Sequence, residues 1–161
     1  MTVSEYNNCV DKFSDAVFRF LLKNTRDEDL ANDLVQDSFL KLWVKRKEVD
    51  GTKSKSYLFS TAYHTMIDYF RKNERKEDFN SLKHDVSHDG GGFSDLKEIL
   101  ESALLKLTPI QRSVVMLRDY EGYSYQEIGD ITDLSEAQVK VYIYRARLSL
   151  KKYLVSPETV C

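Results

Sequence analysis

Basic side chains are concentrated in residues 140–152, a segment with five Lys or Arg residues and no acidic one. The apolar residues of this region recur at helical spacing and would form one face of an amphipathic helix: Val139, Ile143, Ala146 and Leu150. The opposite face would present cationic groups, which pair with phosphates and donate to base edges in a DNA major groove. Nucleic-acid binding is one interpretation, and a solvated surface helix is the other.

Acidic side chains form a second set with regular spacing. Asp29, Asp33 and Asp37 are four residues apart, so a helix would place their carboxylates on one face, at some cost from like-charge repulsion. A solvated face, a docking surface for a basic protein partner and a metal site of a nuclease all remain open. Because no nucleophile, base or phosphate-binding loop accompanies the carboxylates, we expect no enzyme, no bound metal and no cofactor.

Two helix starts of the same kind would position the basic helix. Each is a capping box, in which a serine is followed three residues later by Glu or Gln: Ser124 with Glu127, and Ser135 with Gln138. The first predicted helix spans residues 125–132 and the second runs from 136 to about 153. Gly129 faces the point where the second helix crosses. This arrangement predicts a helix-turn-helix.

An earlier helix, over residues 55–73, combines rings with cations. Its aromatic groups are accompanied by lysine and arginine at both ends: Tyr57, Phe59, Tyr63, His64 and Phe70 with Lys53, Lys55, Arg71 and Lys72. Rings stack on unpaired bases while cations hold the backbone, so the segment suits single-stranded nucleic acid. Burial of the same rings in a core is the alternative.

The chain as a whole is predicted to be all-α, with two small helical domains joined by a flexible linker. Residues 1–76 would contain three helices, 77–94 the acidic, glycine-containing linker, and 95–155 four helices ending in the helix-turn-helix. The two cysteines form neither a disulfide framework nor a motif with the spacing of metal ligands, which suits a reducing compartment. With neither a signal peptide nor a long apolar run, we expect a cytoplasmic protein.

Three stretches resemble the extracytoplasmic-function (ECF) sigma factors of bacterial RNA polymerase. The first is DLVQDSFLKLW, residues 33–43, and the second is SYLFSTA through IDYFRK, residues 56–72. The third joins LTP and QR of residues 107–112 to GYSYQEI of 122–128 and to the segment from Val139 to Arg147. This chain departs from the family at two places. In the family's DNA-recognition helix, Arg or Ser is common at the positions of Tyr142 and Tyr144. In the turn before that helix, Asp133 replaces the usual glycine.

The resemblance implies a role for each region. The family's polymerase-binding residues, which dock on the clamp helices of the largest subunit, correspond to Asp33, Gln36, Asp37 and Lys41. Its −10 region, which holds the melted promoter strand, corresponds to Lys53, Lys55, Tyr63, His64, Arg71 and Lys72. Its −35 reading helix, which binds double-stranded promoter DNA, corresponds to Ser135, Gln138, Lys140, Val141, Tyr144, Arg145, Arg147 and Lys151.

The predicted function is that of an RNA polymerase sigma factor, which directs transcription initiation by binding rather than catalysis. The resemblance also implies an anti-sigma factor as a partner, and no small-molecule substrate. The alternative is a stand-alone helix-turn-helix regulator. The surface of residues 27–43 distinguishes the two, because a sigma factor needs it exposed for polymerase.

Overall fold

The computed structural model describes residues 1–80 and 95–154, with the side chains of 76–80 and 95 excluded. In these ranges the chain is helical without a β-strand, in agreement with the all-α prediction. The helices are α1 (Val3–Thr25), α2 (Glu28–Lys45), α3 (Ser54–Asn80), α4 (Asp95–Leu105), α5 (Pro109–Asp119), α6 (Tyr125–Thr132) and α7 (Glu136–Leu154). One 3-10 turn, Gly51–Lys53, precedes α3.

The first three helices pack against one another as an N-terminal domain. Asp27 caps α2 by accepting from the amide of Leu30 at 3.1 Å. Apolar residues from all three helices form the core, among them Val17, Phe20, Leu21, Leu42, Leu58, Phe59 and Met66. The bundle therefore fixes which faces of α2 and α3 remain available for partners.

The C-terminal domain comprises α4 to α7. Helix α5 begins at a capping box in which Thr108 accepts from the Gln111 amide and the Gln111 side chain accepts from Thr108, both at 3.3 Å. Residues Tyr125–Thr132 form α6, and the next residue, Asp133, has the left-handed φ of 59°. An aspartate tolerates this conformation better than most residues. The helix-turn-helix prediction is confirmed.

Helix α3 is longer than the sequence predicted. It continues to Asn80, whereas we expected an end near Asn73 and a linker soon afterwards. The extension contains no Gly or Pro and is rich in Glu, Arg and Lys, which favour helix. Residues 81–94, which make up most of the predicted linker, lie outside the described ranges.

The two domains contact each other directly. Helix α1 packs against α5, and α3 packs against α6. At the first contact Asn24 is buried and accepts a hydrogen bond from Nε of Arg112 at 3.0 Å. At the second, the rings of Phe59 and Tyr123 meet with centroids 5.5 Å apart. The domains of this structure are thus docked together.

No helix in the described ranges is both long enough and apolar enough to cross a membrane.

Candidate nucleic-acid interface

Helix α7 is positioned by its capping box and its buried face. Ser135 accepts from the amide of Gln138 at 3.1 Å, and the Gln138 side chain accepts from the Ser135 amide at 2.9 Å. Three of the predicted core residues are buried, namely Val139, Ile143 and Ala146. The opposite side exposes Val141, Tyr144 and Leu148 at 44%, 67% and 43%. An apolar strip flanked by cations suits the methyl groups and phosphates of a major groove.

The cations of α7 have different surroundings. Arg145 and Lys151 are exposed, whereas Lys140 lies 3.7 Å from the carboxylate of Glu136. The guanidinium of Arg147 donates to Asp119 of α5 at 2.7 Å, and this hydrogen bond raises the pKa of Arg147. Arg147 therefore ties α7 to α5 in this structure, while Arg145 and Lys151 are the more accessible cations.

The candidate −10 residues of α3 and of the 3-10 turn before it divide into exposed and covered groups. Lys53, Arg71 and Lys72 are exposed. Tyr63 is only 4% exposed, and burial raises its pKa to about 12. The ammonium of Lys55 lies 4.9 Å from the centroid of the Tyr123 ring. The structure thus places Lys55 beside the C-terminal domain and leaves Lys53 and Lys72 exposed, whereas Arg71 lies 4.0 Å from the Asp68 carboxylate.

A cleft of about 360 Å³ lies between α2, α3 and the turn after α6. Lys41 and Lys45 of α2 lie on one side, and Tyr57 and His64 of α3 lie on the other. The Lys41 ammonium donates to the hydroxyl of Thr65 at 2.8 Å, which directs it toward α3. The lining also includes the carboxylates of Asp68 and Asp133, so the cleft offers two cations and two rings within a surface of mixed charge. Cations can hold a phosphate and rings can stack on a base.

The acidic face of α2 is accessible. Asp29, Asp33, Gln36 and Asp37 are all exposed. Leu40 and Val44 continue the same helical stripe and are 59% and 70% exposed. These two apolar residues were not predicted as part of the site, although their positions seven and eleven residues after Asp33 place them on the carboxylate face. The two side chains therefore form a small exposed apolar area beside the carboxylates.

Among the described side chains, no group of three or more His, Cys, Asp or Glu residues is arranged to hold a metal ion.

The fold and these surfaces define a class: an all-helical protein with a helix-turn-helix and two candidate nucleic-acid surfaces. Comparison with family models gives a more specific result. Residues 9–76 match Sigma-70 region 2, and residues 97–150 match Sigma-70, region 4. The ECF RNA polymerase sigma factor SigM of Bacillus subtilis is 30% identical over 156 residues, covering 94% of each chain. The chain belongs to the ECF family of RNA polymerase sigma factors, which act in transcription initiation.

Other relatives agree with this placement. The RNA polymerase sigma factor YlaC of Bacillus subtilis is 30% identical over 145 residues, covering 84% of each chain. Among solved structures, the sigma factor RpoE in complex with the anti-sigma factor NepR from Bartonella quintana has the same fold. Its TM-score is 0.78 at 24% identity, and the match covers 96% of this chain and 99% of that one. CnrH, solved in complex with the cytosolic domain of CnrY, has a TM-score of 0.69 at 25% identity. That match covers 92% of this chain and 86% of the CnrH chain.

Proposed function

We propose that this sigma factor binds core polymerase through the exposed face of α2. The observation that carries this assignment is the stripe of Asp33, Asp37, Leu40 and Val44, which continues from carboxylates into exposed apolar side chains. Such a surface fits a partner that offers both cations and an apolar groove, and the clamp helices of the largest polymerase subunit are the proposed partner. Gln36 lies beside the stripe and adds a hydrogen-bonding group.

The second part of the proposal assigns the α2–α3 surface to the melted −10 strand. Lys53, Arg71 and Lys72 would hold phosphates, and the cleft beside His64 would hold a base. The Lys41 ammonium, which donates to Thr65, lies in the lining of this cleft, so we propose that Lys41 contacts the strand as well as the polymerase.

The third part assigns α7 to the double-stranded −35 element. Val141 and Tyr144 would contact base edges, while Lys140, Arg145 and Lys151 would pair with phosphates. The bond between Arg147 and Asp119 supports a positioning role for Arg147, which would hold α7 on α5. Ser135 and Gln138 form the cap of the helix, and their location at its N-terminus would bring them near the DNA backbone.

The proposed partners follow from this role. They are core RNA polymerase, promoter DNA in duplex and melted form, and an anti-sigma factor, which is the kind of protein bound to RpoE in the NepR complex. The protein would act in the cytoplasm, where polymerase and promoters are found, and it would contribute binding energy without catalysing a reaction.

Transcription in vitro tests the proposal. Core polymerase, the purified protein and genomic fragments should together give specific transcripts that neither protein gives alone. The alternative, a stand-alone helix-turn-helix regulator, is not favoured by the two sigma-factor matches along the chain. Specific duplex binding by the protein alone, with no transcript in the presence of core polymerase, would support that alternative and contradict the proposal.

A further inference from the structure

A second cleft, of about 400 Å³, lies between the C-terminal half of α1 and the first two turns of α4. We call it the α1–α4 cleft. None of the residues that line it belongs to the polymerase, −10 or −35 assignments. The lining has three more positive than negative charges, although the whole chain has a net charge of −2. It consists of Arg19, Lys23, Arg26 and Lys97, with one acid, Glu101, and two apolar residues, Phe18 and Leu22.

Two of these cations are held in place by the residues that follow α5. Nη2 of Arg19 donates to both carboxylate oxygens of Glu121, at 3.1 and 3.2 Å. Glu121 offsets the charge of Arg19, whose side chain is still 48% exposed. The ammonium of Lys23 lies 4.0 Å from the centroid of the Tyr120 ring. Because both cations are positioned before a ligand arrives, binding would cost little further ordering of their side chains.

The guanidinium of Arg26 has hydrogen-bonding capacity that its neighbours do not use. Its Nη2 is 3.7 Å from a carboxylate oxygen of Glu101, a distance that allows an ion pair but is too long for a hydrogen bond. Its Nη1 is buried without a hydrogen-bond partner among the described residues. Buried donors are paired in the great majority of cases. Arg26 therefore has donors left for the oxygens of an anionic ligand.

Lys97 cannot be explained by the stability of its own helix. Cations near the C-terminal end of α1, such as Lys23, complement the helix dipole there. Lys97 instead lies in the first turn of α4, at the positive end of that helix, where a cation is unfavourable. An anion bound in the α1–α4 cleft would be attracted both by Lys97 and by this end of the helix.

We propose that the α1–α4 cleft binds a nucleoside polyphosphate, with the phosphates on the cations and the base against Phe18. Guanidinium and ammonium groups suit phosphate oxygens, and a ring suits stacking on a base. The volume lies within the range of small-molecule sites, roughly 300–1,000 Å³. The nucleotide would be a ligand and not a substrate. This inference does not depend on the polymerase and promoter assignments.

Isothermal titration calorimetry with the full chain tests the proposal. The titrants are ATP, inorganic triphosphate and adenosine, in a buffer without Mg²⁺, because Mg²⁺ would compete with the cations for the phosphates. Stacking of the base should make ATP bind about tenfold more tightly than triphosphate. Adenosine, which has no phosphates, should give no measurable binding. Equal affinities for ATP and triphosphate would overturn the nucleotide assignment, and so would absence of binding by ATP.

Two substitutions in the cleft should each weaken ATP binding by about tenfold, since each removes a charged partner of the phosphates. Lys97→Ala removes an exposed side chain of α4. Arg26→Asn keeps a residue type that tolerates the left-handed φ of 53°. Lys106→Ala is the matched control, since this exposed lysine follows α4 outside the cleft, and it should bind within about twofold of the wild type. Thermal denaturation followed by circular dichroism would establish that the variants fold.

Lys151→Ala determines whether ATP binds instead to the cationic surface of α7, where Lys151 is exposed. We expect this variant to keep the ATP affinity of the wild type. Weaker binding by Lys151→Ala together with unchanged binding by Lys97→Ala would overturn the proposal. In vitro transcription tests the proposed function separately, so specific transcripts without ATP binding would leave the sigma-factor assignments in place.

Discussion

Gly129 and Leu134 meet at the turn of the helix-turn-helix. The Leu134 amide donates to the Gly129 carbonyl at 3.1 Å, and a Cβ added to Gly129 would lie 2.7 Å from the carbonyl oxygen of Leu134. The turn can therefore pass close to α6 only because residue 129 has no side chain.

Gly129→Ala should consequently destabilise the protein. Backbone atoms would have to move to accept the methyl group, and overpacking of this kind costs about 1–3 kcal/mol. Urea denaturation followed by circular dichroism would measure the free energy of unfolding. Asp130→Ala, at the adjacent exposed position, should change it by less than about 0.5 kcal/mol. Equal stability of the Gly129→Ala variant and the wild type would contradict the close contact.

The buried contact between Asn24 and Arg112 should contribute to stability as well as to docking. Asn24→Ala leaves the Arg112 guanidinium without its acceptor, so we expect a loss of about 1–3 kcal/mol in the free energy of unfolding. Asn32→Ala, at an exposed position of α2, is the control and should be nearly neutral. The same urea titration applies, and an unchanged midpoint for Asn24→Ala would show that the domains do not depend on this contact.

The exposed apolar residues of α2 should matter for binding but not for folding. Leu40→Ser and Val44→Ser remove side chains with few contacts inside the protein, so the free energy of unfolding should stay within about 0.5 kcal/mol of the wild type. Affinity for core polymerase should fall about tenfold, because apolar anchors at an interface dominate its energy. Competition binding would measure the affinity. Val3→Ser, at a residue 53% exposed on α1, is the control, and an equal loss from it would contradict a specific α2 surface.

Cys9 should be chemically inert in the folded protein. Its side chain is 2% exposed, and burial raises the pKa of the thiol, which leaves less of the reactive thiolate near neutral pH. In a Cys161→Ser background, a thiol reagent such as dithionitrobenzoate should react with Cys9 much more slowly under native conditions than in guanidinium chloride. Similar rates in the two conditions would contradict the burial of Cys9 in the folded protein.

Local rules were sufficient to predict most of the helices. The capping boxes predicted at Ser124 and Ser135 depend only on residues three apart, and both are present. The left-handed turn at Asp133 and the close approach at Gly129 also follow from local chemistry. The end of α3 was predicted too early, because charged helix formers after Asn73 resemble linker residues in composition while favouring helix.

Contacts between the domains could not be predicted from the sequence. Asn24 and Arg112 are far apart along the chain, and neither belongs to a motif that indicates a partner. His64 and Asp133 were each singled out, but nothing in the spacing of either indicated that they meet. Periodicity identifies a buried face without identifying what buries it.

Transcription by core polymerase with Asp37→Arg tests the central claim most directly. The substitution reverses a charge in the exposed stripe of α2, and Asp11→Arg makes the same change at an exposed position of α1. The account predicts specific transcripts with the wild type and with Asp11→Arg, and loss of those transcripts with Asp37→Arg, although all three proteins fold equally well. Undiminished transcription with Asp37→Arg would contradict the assignment of α2 as the polymerase-binding surface.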